Sequence, residues 1–347
     1  MSAGLIIADT PNSAIATSSK SWAQLLNAEV IYATNFWKPK ILVREIEKRN
    51  PSWMLFSWRQ ALYDLIATGS HYEILRCLES RTVALSIPDH LAEISPKMAE
   101  MERLLFDYVD CCTVTSPKLF EIYSNKYPDT PCRILFDKPN CELLERTENS
   151  GSHRLFDLIW VGNSDWGSGL GIQDHKGFRK YVLPLVQSLV STNPDLTVKL
   201  VDRSNGLISQ SKVFSLIAKS KFLVQFSSSE GTGFPLLEAT ALGAIPISTN
   251  VGVAEVVLEE FSSQLLVETI QEAESIINAG WKPKLAEELL KKFNKHIARS
   301  DESISKFAEW VLTIKNSSKF KVRECRLSLG SRKLIELFWL IRYLRSR

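Results

Sequence analysis

The sequence predicts an α/β protein made of two doubly wound, Rossmann-like domains facing a cleft. Three observations predict it. The chain has 347 residues, enough for two domains of ordinary size. Short apolar runs alternate with helical patterns over most of its length, the mark of parallel sheets covered on both faces. A polar stretch at 137–152, with Pro139, a mixed charge run and Asn149-Ser150-Gly151-Ser152, breaks that alternation and reads as a linker. The expected domains are therefore 1–145, 153–300 and a helical C-terminal part, 301–347.

In the first half, strands are expected at 5–8, 29–32, 53–57, 81–87, 111–115 and 132–136. Helices are expected at 19–27, 41–49, 63–80 (broken near Gly69), 98–107 and 117–126, the last opened by Pro117. The second half is more regular. Strands are expected at 155–161, 197–201, 222–226, 244–248 and 264–267, with helices at 175–191, 210–219, 235–242 and 253–259. Gly243 closes the third of these helices. Ile304, Phe307, Val311 and Ile314 recur at helical spacing, so 301–315 reads as an amphipathic helix.

Composition narrows the function classes. Hydrophobic residues make up 45% and charged residues 23%, as in a globular protein. No apolar run approaches the roughly 18 residues of a spanning helix. The N-terminus lacks a basic region followed by a long apolar one, so a cytoplasmic location is expected. The six cysteines form no CxxC pair, which argues against a zinc site. Net charge is +3, but from Lys315 onward there are ten Lys/Arg and two Asp/Glu, so the tail is +8 and the rest −5. The segment 331–347 carries Leu334, Leu337, Phe338, Ile341 and Leu344 on one face between basic ends, as a helix lying on an anionic membrane surface would. A helix docked on protein has the same pattern, and nucleic acid is not the expected partner.

The chemistry concentrates in Ser229-Glu230-Gly231-Thr232-Gly233-Phe234-Pro235-Leu236-Leu237-Glu238-Ala239. A strand, a glycine-containing turn and a helix start together make a pocket for a polar, phosphorylated ligand. Glu230 and Glu238 can each accept hydrogen bonds from sugar hydroxyls. Free N–H groups from Thr232 to Leu236, with a gap at Pro235, suit an anion. Lys176, in Asp174-His175-Lys176-Gly177, can neutralise a diphosphate. Gly167-Ser168-Gly169-Leu170-Gly171 is not a GxGxxG fingerprint.

The string from Ser228 to Ser248, with its E-x7-E, its G-F-P and its E-A-x-A-x-G followed by Pro246, resembles the donor-site signature of retaining GT-B glycosyltransferases of the GT4-type group (glycosyl transferases group 1). Asn250-Val251-Gly252-Val253-Ala254-Glu255-Val256 is similar to the segment that follows it there. The resemblance implies a GT-B architecture and transfer of a sugar from a nucleotide-sugar, with retention, to a glycan or lipid-linked acceptor. The implied setting is surface polysaccharide synthesis. It implies Glu230 at the transferred sugar, Glu238 at the ribose, amides around Gly233 and Phe234 at sugar and phosphates, and Lys176 as the phosphate lysine. His90, beside Asp89, is the matching candidate for a histidine facing the donor sugar. The family's Gly-Arg pair after the first strand of this domain is here Gly162-Asn163-Ser164, so its arginine is missing, and Arg179 and Arg203 are the candidates to replace the charge. Asn12 and Ser13 lie where such enzymes run a loop past the diphosphate. There is no DxD motif, so neither a metal nor a cofactor is expected, the nucleotide-sugar being substrate. The alternative is a catalytically inactive GT-B protein that binds a glycan or a partner.

Overall fold

A computed structural model describes residues 4–11, 13–36, 38–68, 71–148, 153–206 and 208–314, with residues 335, 337 and 341. The chain divides into two compact units. The first holds Met1–Pro88, Pro96–Asp137 and Asp301–Arg347, and the second Asp89–Ser95 and Lys138–Ser300.

The first unit contains strands β1 (Leu5–Ala8), β2 (Glu29–Tyr32), β3 (Trp53–Phe56), β4 (Thr82–Ile87), β5 (Cys111–Val114) and β6 (Cys132–Ile134). They form one sheet in the order β2-β1-β3-β4-β5-β6. Every neighbouring pair is parallel. β1, β3, β4 and β5 are buried at every position, as strands covered on both faces must be. One helix, Pro283–Thr313, supplies part of this unit's core. Its Ile304, Phe307 and Val311 pack with Ile6, Trp22 and Trp53, and Phe307 meets Trp53 edge-to-face at 5.6 Å.

The second unit contains β7 (Phe156–Gly162), β8 (Val198–Asp202), β9 (Ser220–Gln225) and β10 (Ile245–Ser248), all parallel, in the order β10-β9-β7-β8. The chain winds to one side of β7 with β8 and to the other with β9 and β10. The reversal lies between β7 and β9, and a doubly wound sheet takes its ligand where the loops diverge at such a point. Those loops are 163–177 and 226–233.

Four expectations change. The stretch 137–152 is not all linker. Cys141–Glu148 is a helix that packs on the helix Gln210–Ala218, so the second unit begins at Lys138 rather than 153. Asp89–Ser95 also belongs to the second unit, although its neighbours in sequence belong to the first. The fifth strand is absent: Ser262–Leu265 is a helical turn, and Leu266 makes only an isolated bridge to Ser248. The helix expected from His175 starts at Phe178, because Asp174 and Gly177 take positive φ values of 46° and 63°. The tail helix at 331–347 and Asn12 fall outside the described residues, apart from residues 335, 337 and 341 of the tail. Among the described residues no helix is long and apolar enough to cross a membrane.

Candidate active site

β9 leads, past Phe226, into the serine run Ser227-Ser228-Ser229 followed by Glu230, and each of these four side chains has a defined partner. Ser227 Oγ donates to Glu230 Oε1 at 2.6 Å. Ser228 Oγ lies 3.1 Å from His175 Nδ1, and Ser228 N–H donates to the His175 carbonyl at 2.9 Å. Ser229 Oγ lies 3.0 Å from His90 Nδ1. Lys176 Nζ donates to Glu230 Oε1 at 2.5 Å. The three residues expected in catalysis, Lys176, Glu230 and His90, thus meet around the loop that follows β9.

His175, absent from the expected site residues, is nonetheless enclosed within the group, 3% exposed, with its ring 4.5 Å from that of Trp166. Burial, reinforced by the neighbouring Lys176 charge, lowers its pKa to about 4, so it is neutral at pH 7. The sequence signal was its place beside Lys176. Nothing in the spacing said that it would meet Ser228.

Backbone geometry fixes Lys176. A Cβ on Gly177 would lie 2.3 Å from the Phe226 carbonyl oxygen, so only glycine lets this turn approach the end of β9. Asp174 then receives the N–H groups of Arg179 and Lys180 at 3.0 and 2.8 Å and caps the helix that follows.

The glycine turn is held as closely. Gly233 (φ 78°) opens the helix Phe234–Ala241, and Gly252 (φ 60°) would place a Cβ 2.5 Å from the Thr232 carbonyl oxygen. Gly231, Thr232 and Gly233 are buried, while Phe234 and Pro235 are half-buried. Leu236 N–H donates to the Gly233 carbonyl at 3.0 Å, so it is already satisfied, contrary to the expectation that it stays free. The N–H groups of Gly233 and Phe234 have no acceptor among the described residues.

Glu238 is the fifth of that helix's eight residues and is 7% exposed. Burial raises its pKa to about 7, against the opposing charge of Arg203 and a hydrogen bond from Gln210.

At the end of β7, a Cβ on Gly162 would overlap the Trp160 ring at 2.4 Å. The Asn163 side-chain oxygen accepts from Asp165 N–H at 3.1 Å, leaving its amide nitrogen as the donor. Ser164 does not fit the role expected of it. Its N–H and Oγ donate to the two Asp202 oxygens at 3.0 and 2.6 Å and brace β7 to β8, so neither is left for a ligand. Of the two candidate replacements for the missing arginine, Arg179 reaches this turn. It donates to the Ser164 carbonyl at 3.2 Å and to Asp165 at 2.8 Å. Arg203 acts on Glu238 instead. A cavity of about 710 Å³ opens beside the turn, lined by Ser164, Asp165, Trp166, Gln173, Arg179 and Lys180 among others.

Residues 204–297 match the sequence model of the family Glycosyl transferases group 1. The matched stretch includes Glu230 and Glu238 but not Lys176, His90 or Gly162. No curated protein matches the chain. Among solved structures, sucrose-phosphate synthase from Thermosynechococcus elongatus superposes with a TM-score of 0.63 at 13% identity, over 90% of this chain and 98% of that one. The Anabaena protein HepE, solved in complex with UDP and glucose, gives 0.56 at 13% identity, over 90% and 100%. A chain of the GtfA/B complex gives 0.52 at 12% identity over 79% of this chain, which spans 60% of that chain's length. The fold is therefore that of the GT-B glycosyltransferases. The family match within the site-bearing unit supports glycosyl transfer.

Proposed function

We propose that the protein is a retaining glycosyltransferase that moves a sugar from a nucleotide-sugar to a glycan or lipid-linked acceptor without a metal. The reading rests on one observation above all: Glu230, paired with Lys176, and the buried Glu238 flank an open pair of backbone amides at the switch point of a sheet whose strands β9 and β10 lie in the stretch that matches the family model. In this reading Glu238 accepts the ribose hydroxyls, and Glu230 accepts hydroxyls of the transferred sugar. Lys176, the amides of Gly233 and Phe234 and the Asn163 amide take the diphosphate, and Arg179 supplies charge at the turn where the family carries its arginine. The bond from the anomeric carbon to the diphosphate oxygen breaks, and the acceptor oxygen bonds to that carbon on the same face. The released diphosphate oxygen takes the acceptor's proton. The protein contributes positioning and electrostatic stabilisation of the leaving group. Neutral His175 adds no positive charge of its own beside Lys176, and His90 is positioned by Ser229 to face the donor sugar. A lipid-linked acceptor would accord with the basic tail, and surface polysaccharide synthesis is the setting that the family resemblance implies.

The test is a thermal-shift panel of UDP-, GDP- and dTDP-sugars, beginning with UDP-sugars because HepE was solved with UDP and glucose. One nucleotide class is expected to stabilise the protein, and Glu238→Ala to abolish the effect. NMR of the product's anomeric proton then reads retention. A protein that neither binds nor hydrolyses any of these donors would instead be a non-catalytic glycan- or partner-binding module, the reading that Asn163 in place of arginine favours.

A further inference from the structure

We propose that Glu230 is the resident counter-ion of Lys176, which an incoming diphosphate must displace, and that re-formation of this pair expels the nucleoside diphosphate after transfer. The inference rests on the glycosyltransferase reading and assigns Glu230 a second task in it.

Lys176 and Glu230 are 54 positions apart and meet at 2.5 Å with side chains only 21% and 15% exposed. Charges so shielded from water interact more strongly than a surface pair. Both ends of the pair are held. Lys176 lies between His175, whose carbonyl accepts from Ser228 N–H, and Gly177, packed on Phe226. The Glu230 carboxylate is held by the Ser227 hydroxyl at 2.6 Å. The lysine stem is the mobile part, and its ammonium rests 5.7 Å from the centre of the Trp166 ring.

A bare nucleoside diphosphate that draws Lys176 away leaves the Glu230 carboxylate uncompensated beside its own negative charge. A nucleotide-sugar brings hydroxyl donors that satisfy the carboxylate at the moment Lys176 turns to the phosphates. Glu230 therefore selects the sugar-bearing donor over the spent nucleotide. Once the sugar has gone to the acceptor, the uncompensated carboxylate recaptures Lys176.

Isothermal titration with UDP, GDP and dTDP tests this on the full chain. Glu230→Gln keeps the side chain's size and removes its charge. It should tighten binding of the nucleoside diphosphate that the wild type recognises by about tenfold. The gain should vanish in Glu230→Gln combined with Lys176→Gln. It should also appear as stronger product inhibition of donor hydrolysis. A folded Glu230→Gln protein, checked by circular dichroism, that binds the diphosphate no more tightly than wild type overturns the proposal and leaves the glycosyltransferase reading intact. A wild-type protein that binds none of the three, nor their sugars, overturns both.

Discussion

Replacing Glu238 by glutamine removes one of two buried titrations that oppose each other in the second unit. Burial raises the Glu238 carboxyl from 4.5 to about 7. Burial, with the Lys176 charge, lowers the His175 ring from 6.5 to about 4. At ~1.4 kcal/mol per pKa unit, each group carries about 3 kcal/mol of pH-dependent stability. At Glu238 the folded state holds more protons than the unfolded state between pH 4.5 and 7, so its contribution falls as pH rises through that window. At His175 the folded state holds fewer protons between pH 4 and 6.5, so its contribution rises with pH. In the wild type the two slopes nearly cancel over their shared range. Glu238→Gln leaves the histidine term alone. Relative to wild type, the variant should therefore gain stability from pH 4.5 to 7, at about 1.4 kcal/mol per pH unit and about 3 kcal/mol in all. Urea unfolding of both proteins at pH 4.5, 5.5, 6.5 and 7.5 measures the difference. A variant-minus-wild-type difference that stays flat with pH refutes the reasoning. A second readout uses the ligand. If ionised Glu238 holds the ribose, nucleotide affinity should rise about tenfold between pH 6 and 8, and the variant should lose that dependence.

Three further outcomes follow from packing. Gly177→Ala forces a Cβ against the Phe226 carbonyl at a positive φ, so it should cost about 2–4 kcal/mol in urea unfolding and weaken nucleotide binding by displacing Lys176. Arg154 donates to the carbonyls of Ala218, Ser220, Leu242 and Gly243 at 2.6–3.1 Å. Arg154→Ala strands these four acceptors and should cost about 2–4 kcal/mol, with Arg154→Lys recovering only part. Phe307→Ala empties a fully buried site against Trp53 and should destabilise the first unit by about 3–5 kcal/mol, read as an earlier unfolding transition by tryptophan fluorescence.

Much of the architecture was legible in sequence because it is local. Apolar runs place ten strands to within about two residues at their ends, and they are densest in the strands buried on both faces, β1, β3, β4, β5 and β10. The elements misread are those whose pattern is weak. Cys141–Glu148 is polar on most sides and was taken for linker. Leu265-Leu266-Val267 is an apolar run too short to distinguish a helical turn and a bridge from a strand. Positive φ at Asp174 was invisible, and it moved the start of the helix past Lys176.

By itself the sequence determined that two glutamates eight positions apart flank a glycine turn at the entrance of a helix, with a Lys-Gly pair upstream in the same domain. Short-range spacing encodes these, because strand, turn and helix are set by neighbouring residues. Only the tertiary structure decided what each side chain does. The strand order β10-β9-β7-β8 brings the loops after β7 and β9 together, so that Lys176 closes on Glu230 across 54 positions. His90, in the Asp89–Ser95 segment that joins the second unit, meets Ser229 across 139. It committed Ser164 to Asp202 and set Arg179, not Arg203, on the turn that lacks its arginine. A hydroxyl, carboxylate or guanidinium takes whichever partner the loops deliver, and that choice is made by the winding of the sheet.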